Sequence, residues 1–109
     1  MFALNRREIK SFFMMKYFIY IISDGMRGNI YTGLTSDLKA RIGEHKKNNI
    51  DGYTKNSGIK NLVYYEEYDN IQRAAARERQ IKKWHREWKI KLIEKLNPEW
   101  KDLYIDLKG

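Results

Sequence analysis

A chain of 109 residues, 42% hydrophobic and 14% aromatic, is long enough for one domain with a modest core and too apolar for a disordered tract. Its 22 Lys and Arg against 14 Asp and Glu leave a formal charge of +8, which points to a polyanionic partner, nucleic acid before an acidic membrane. The absence of cysteine excludes a disulfide scaffold, a thiolate zinc site and a cysteine nucleophile, and two histidines cannot make a three-histidine metal site.

Arg6, Arg7 and Lys10 precede an apolar run from Phe12 to Ile22, an arrangement that imitates a secretory signal. Lys16 splits the run, no small-residue cleavage pair follows, and Ser23-Asp24-Gly25 comes next. The uncharged apolar stretch Tyr17–Ile22 falls far short of the ~20 residues a membrane span needs. A cytoplasmic protein with no membrane partner is expected. Met14-Met15 offers a second start, so residues 1–15 read as a disordered N-terminal extension to a domain over residues 16–105.

Tyr17–Ile22 is aromatic and β-branched and reads as a strand buried on both faces, ended by Asp24-Gly25. Asn29–Gly33 is the next extended piece, and the two glycines between them make an antiparallel hairpin. If Ser23 pairs with Gly28, Tyr20 lies directly opposite Tyr31 on one face. A one-residue error would part them. Thr35-Ser36-Asp37 caps a helix to about Lys47 whose stripe is Leu38, Arg41, Ile42 and His45.

Residues 48–58 form a loop. Asn61–Tyr68 is a third strand, alternating Leu62, Tyr64 and Glu66 against Val63, Tyr65 and Glu67. Asp69-Asn70 then caps a helical stretch with the stripe Ile71, Ala74, Ala75, Glu78, Ile81, His85, Trp88, Leu92 and Leu96, with room for a break at residues 84–87. Asn97-Pro98 ends it. Trp100, Leu103, Tyr104 and Ile105 are expected to pack back as a tail. The order is β-β-α-β-α-α, an α+β fold.

Between Gln72 and Lys95 stand nine basic and three acidic residues, a net +6. A basic helical face interleaved with Trp84 and Trp88 suits phosphate binding. It also reads as a solvated exterior with the tryptophans in the core.

Polar residues interrupt both stripes. Arg41 and His45 stand one turn apart beside Leu38 and Ile42, and Glu78 stands between Ala74, Ala75 and Ile81. A carboxylate in such a place is paired or binds a metal, because burying it alone costs several kcal/mol. Singly, each has a plainer explanation: an Arg41–Glu78 structural ion pair, a core histidine, two sheet tyrosines. Together, two phenols, an arginine, a histidine and a carboxylate in a basic domain suit phosphodiester hydrolysis.

The ordered elements Phe18-Ile19-Tyr20, Tyr31-Thr32-Gly33, Gly33 through Arg41 to His45, Ala76 through Glu78 to Trp84, and Asn97-Pro98-Glu99-Trp100 with Asp102-Leu103 resemble the GIY-YIG endonuclease superfamily. The likeness runs over residues 16–104 and is greatest to small single-domain bacterial members related to the catalytic domain of the excision-repair incision subunit. Phe18 replaces the family's first glycine and Thr32 its middle isoleucine; neither is a reacting side chain.

The resemblance implies a small three-stranded antiparallel sheet flanked by helices. It implies Tyr31, with Tyr20 as the alternative, as general base or water-positioning group. Arg41 would stabilise the phosphorane, and His45 would assist proton transfer or orient Tyr31. Asn97 would support the phosphate. Glu78 would be the protein ligand of one Mg²⁺ or Mn²⁺, weakly held without substrate. The DNA-contacting candidates are Lys39, Lys46, Lys47, Lys55, Arg77, Lys82 and Lys83. The expected function is a metal-dependent DNA endonuclease acting in repair or recombination. The alternatives are a non-catalytic nucleic-acid-binding module, and a purely structural Arg41–Glu78 pair with the basic charge directed at RNA or ribosomes. With no separate recognition module, the domain must read DNA shape, act with a protein partner, or act weakly on many substrates.

Overall fold

The computed structural model describes residues 15–47 and 58–107. The expectations for residues 1–14 and for Lys55 lie outside the described residues. The elements run β1 (Tyr17–Ser23), β2 (Ile30–Thr35), α1 (Leu38–Lys46), β3 (Asn61–Tyr68), α2 (Ile71–Lys83), α3 (Arg86–Leu96) and a short 3-10 turn (Leu103–Asp106). The sheet is antiparallel in the order β2-β1-β3. As the central strand, β1 buries Ile19 to Ser23 continuously, which is why it reads as an unbroken apolar run.

The hairpin register differs from the expectation by two residues: Ser23 pairs with Ile30, and Tyr20 faces Gly33 rather than Tyr31. The cause is the loop. The Asp24 carboxylate accepts from the Asn29 backbone N–H and side-chain amide, a Gly28-to-Gly25 turn closes inside that clamp, and Arg27 takes the left-handed conformation at φ 53°. A slip of two preserves the face, so Tyr20 and Tyr31 remain neighbours diagonally.

A bulge opposite Ile21 and Ile22 breaks the β3 alternation. Leu62 packs with Tyr20 and Ile22 on one face, whereas Val63 and Tyr64 both join Ile19 and Ile21 on the other. Two clusters therefore fill the two sides of the sheet. On one side, Leu38, Ile42 and Ile59 cover Tyr20, Ile22 and Leu62. On the other, Ala74, Ile81, Ile90, Ile93 and Trp100 cover Ile19 and Ile21.

The long helical stretch breaks at Trp84 and His85, both extended. The break resets the phase of the buried face. Ile90 and Ile93 enter the core, while His85, Trp88 and Leu96 of the expected stripe are exposed and Leu92 is half-buried. Ile71 at the start of that stripe is exposed as well. In the tail Trp100 is buried and Leu103 and Tyr104 pack on the sheet, but Ile105 faces solvent. Asp102 anchors this tail, accepting from the Leu62 and Tyr104 N–H groups and from Lys46 Nζ.

Candidate active site

Tyr31 and His45 gather around the buried side chain of Tyr20. Its strand is central and its side chain 2% exposed, held between Gly33 across the ladder and α1 above. The hydroxyl lies 3.0 Å from His45 Nε2. The His45 ring sits 5.7 Å, centroid to centroid, from both Tyr20 and Tyr31, whose rings are 6.4 Å apart. His45 reaches this position because α1 starts on the Asp37 cap, whose carboxylate accepts from the Ala40 N–H. Leu38 and Ile42 then turn the same face inward.

The electrostatics follow from burial. Loss of solvent pushes the Tyr20 phenol well above its usual range. Tyr31 and the Glu78 and Glu44 carboxylates push the same way, and Arg41 opposes them. Burial also lowers the His45 pKa, with Arg41 acting in the same direction and Glu44 against it. A protonated phenol thus meets a neutral imidazole, and Tyr20 donates to Nε2 when the ring proton is on Nδ1.

Glu78 comes from α2. Its carboxylate lies 3.1 Å from Lys82 Nζ one turn on, and that ammonium stands 6.0 Å over the Tyr31 ring. Glu78 is therefore on the tyrosine side of the β2 edge, and no Arg41–Glu78 ion pair forms: the two charges act on the same phenol instead. Among the described residues no cluster of three or more His, Asp or Glu side chains could hold a metal. One carboxylate, with a side chain about four-fifths buried, fits Mg²⁺ or Mn²⁺, which keep water and take phosphate oxygens, and does not fit Zn²⁺, which wants three or four protein ligands.

Asn97 does not join this group. Its amide donates to the Val63 and Lys101 carbonyls and its oxygen accepts from the Lys101 N–H. Every polar position of the side chain is thereby used in fixing the tail to β3. Arg77 is likewise engaged: it grips the Glu66 carboxylate at 2.9–3.2 Å, bonds Gln80 and lies 5.1 Å over Trp84. The same carboxylate accepts from Tyr64 and Tyr68. Lys46 pairs with Asp102 at 2.6 Å and covers Tyr104. Lys39, Lys47 and Lys83 are exposed.

Three participants escaped the sequence reading: Gly33 as the seat of the Tyr20 ring, Glu44 as a charge on Tyr20, and Lys82 as the partner of Glu78. A correct hairpin register would have disclosed the first. The i,i+4 spacing of Glu78 and Lys82 was a signal for the third.

Comparison with known proteins shows the family. Residues 16–91 match the family model described as the GIY-YIG catalytic domain. A UPF0213 protein of Staphylococcus epidermidis is 37% identical over 81 residues, 74% of this chain and 98% of the relative. A UPF0213 protein of Staphylococcus aureus is 37% identical over 83 residues with the same coverage. The solution NMR structure of a UPF0213 protein from Bacillus halodurans superposes with a TM-score of 0.52 at 26% identity, covering 81% of this chain and 93% of that one. No helix among the described residues is long and apolar enough to cross a membrane. On its fold, its motifs and these matches, the chain belongs to the GIY-YIG family.

Proposed function

We propose that this domain is a metal-dependent DNA endonuclease that hydrolyses phosphodiester bonds, serving repair or recombination. The observation that carries this reading is the group gathered around one buried hydroxyl: His45 at 3.0 Å from Tyr20, Tyr31 beside both, and Glu78 paired with the Lys82 ammonium that stands over the Tyr31 ring. Tyr20, its proton held tightly, is a donor and a positioning group. Tyr31, less buried, orients the attacking water or takes its proton, with the neutral His45 beside it. Arg41 meets the charge that builds on the phosphate. Glu78 would hold Mg²⁺ or Mn²⁺, which supplies further positive charge at the phosphate oxygens.

Lys82 does not bar the ion. An i,i+4 pair of this kind stabilises a helix by only about 0.3–0.5 kcal/mol, and its ammonium is half exposed, free to swing to a phosphate. The same pair favours a second reading, in which Lys82 stands permanently for the cation and the domain binds nucleic acid without cutting it. Incubation of supercoiled plasmid and of branched DNA with Mg²⁺, Mn²⁺ or EDTA separates the two. Nicking with metal and none with EDTA supports the nuclease; binding without nicking under every condition supports the module.

A further inference from the structure

The α2–α3 break leaves an aromatic surface that the site around Tyr20 does not use. Trp88, the largest side chain type, is 55% exposed, an unusual place for an indole with no role at a surface. It is not loose: Trp84 meets it edge-to-face at 5.9 Å and His85 at 6.5 Å. Trp84 is in turn fixed by the Arg77 guanidinium over its ring. Together with Leu92, Lys91 and Lys95, the two indoles line a groove of about 330 Å³. No carboxylate lines it. Of the two acids of α3, Glu94 is bound to Arg27 and to the Trp100 indole N–H, and Glu87, the exposed residue before Trp88 in the chain, lies outside the lining.

A flat apolar floor with two ammonium groups and no acid selects a ligand that is itself a flat ring joined to an anion. We infer that this groove holds an unpaired base of a DNA strand, stacked on Trp88 with its flanking phosphates on Lys91 and Lys95. A paired base offers no free face, so the groove favours overhangs, gaps and branches over continuous duplex. This rests on the nuclease reading only for the claim that the bound DNA is a substrate; the binding itself is independent of cleavage.

The test is equilibrium binding in EDTA, so that no chemistry intervenes, of a forked DNA with single-stranded arms and of a blunt duplex of equal length. Trp88→Ala is expected to weaken the fork by roughly 5- to 150-fold, the loss of one stacked base, and to change the blunt duplex little. Trp88→Phe should recover most of the affinity, and Lys91→Gln with Lys95→Gln should flatten the salt dependence for the fork. Sedimentation of wild type and Trp88→Ala checks that neither associates. Equal weakening of fork and blunt duplex, no weakening of either, or a change of oligomeric state on substitution would overturn the inference. Metal-dependent nicking that survives in Trp88→Ala, with unchanged fork affinity, would do so while leaving the nuclease reading intact. Trp88-dependent fork binding in a protein that never nicks would retain the groove and remove the nuclease.

Discussion

Tyr20 lies directly across the β1–β2 ladder from Gly33, and its ring fills the space a side chain at residue 33 would need. A Cβ there would stand 2.3 Å from the Tyr20 hydroxyl oxygen and 2.4 Å from Cζ. The glycine is required by close approach rather than by backbone conformation. Tyr20 is buried and tied to His45, so it has nowhere to retreat. Gly33→Ala is expected to destabilise the fold by about 1–3 kcal/mol, the usual range for overpacking, and to disrupt the Tyr20–His45 contact. Thermal melting measures the first and histidine NMR shifts the second. A variant that melts and titrates like wild type would show that the ring is not seated there.

The two tyrosines should separate by variant. Tyr31→Phe removes the hydroxyl of a residue less buried than Tyr20 and should cost less stability than Tyr20→Phe. It should slow nicking by about a hundredfold or more, as expected for loss of a proton-transfer group. Tyr20→Phe removes the buried hydroxyl that meets His45 Nε2 and should cost about 1–3 kcal/mol of stability. Wild-type nicking by Tyr31→Phe would move the proton-handling role elsewhere.

His45 gives a pH signature. Its folded pKa is below the ordinary 6.5 because burial, and then Arg41, disfavour the imidazolium. Below that pH the unfolded chain binds the proton more readily than the fold does. Stability is therefore full above about 6.5 and falls as pH drops through the window below it. Melting temperatures between pH 7.5 and 5.5 should decline more steeply for wild type than for His45→Gln. Parallel declines would show that His45 titrates normally.

Much of the fold was legible because the strands and α1 carry local signals. The apolar run of β1, the Asp37 cap and the Asn70 cap each name their element without reference to the rest. The register of the hairpin was not, because it depends on how Asp24 and Asn29 clamp the loop. The second half of the helical stripe was not legible either. A break at residues 84–87 is allowed for in the sequence, but the phase shift that Trp84 and His85 impose on the helix beyond it is not, because one periodic stripe carries across the interruption. At the site, Tyr20, Tyr31, Arg41, His45 and Glu78 stood out as polar or aromatic residues in apolar settings. Arg77 and Asn97 stood in motifs too, but their side chains meet Glu66 and the backbone, and motif position cannot tell a phosphate ligand from a brace.

Arg77 tests that distinction. Arg77→Ala strips the main counter-charge from Glu66, whose carboxyl is held below the usual range by Arg77, Tyr64 and Tyr68 against the effect of burial. The fold should lose about 1–3 kcal/mol while affinity for blunt duplex DNA changes little. Lys39→Gln and Lys83→Gln, on exposed sites, should leave melting unchanged. Each phosphate contact removed should flatten the slope of log affinity against log salt by about 0.9. A salt slope flattened by Arg77→Ala as much as by the lysines would return Arg77 to the DNA-contacting set.

The most direct measurement is nicking of supercoiled plasmid by Glu78→Gln, with melting curves and DNA binding recorded on the same preparation. The substitution keeps the shape of the side chain and removes the charge that would hold the ion. The predicted result is a folded protein that binds DNA as well as wild type or slightly better and does not nick with Mg²⁺ or Mn²⁺. Nicking by folded Glu78→Gln at the wild-type rate, still abolished by EDTA, would place the metal elsewhere and contradict the site described around Tyr20.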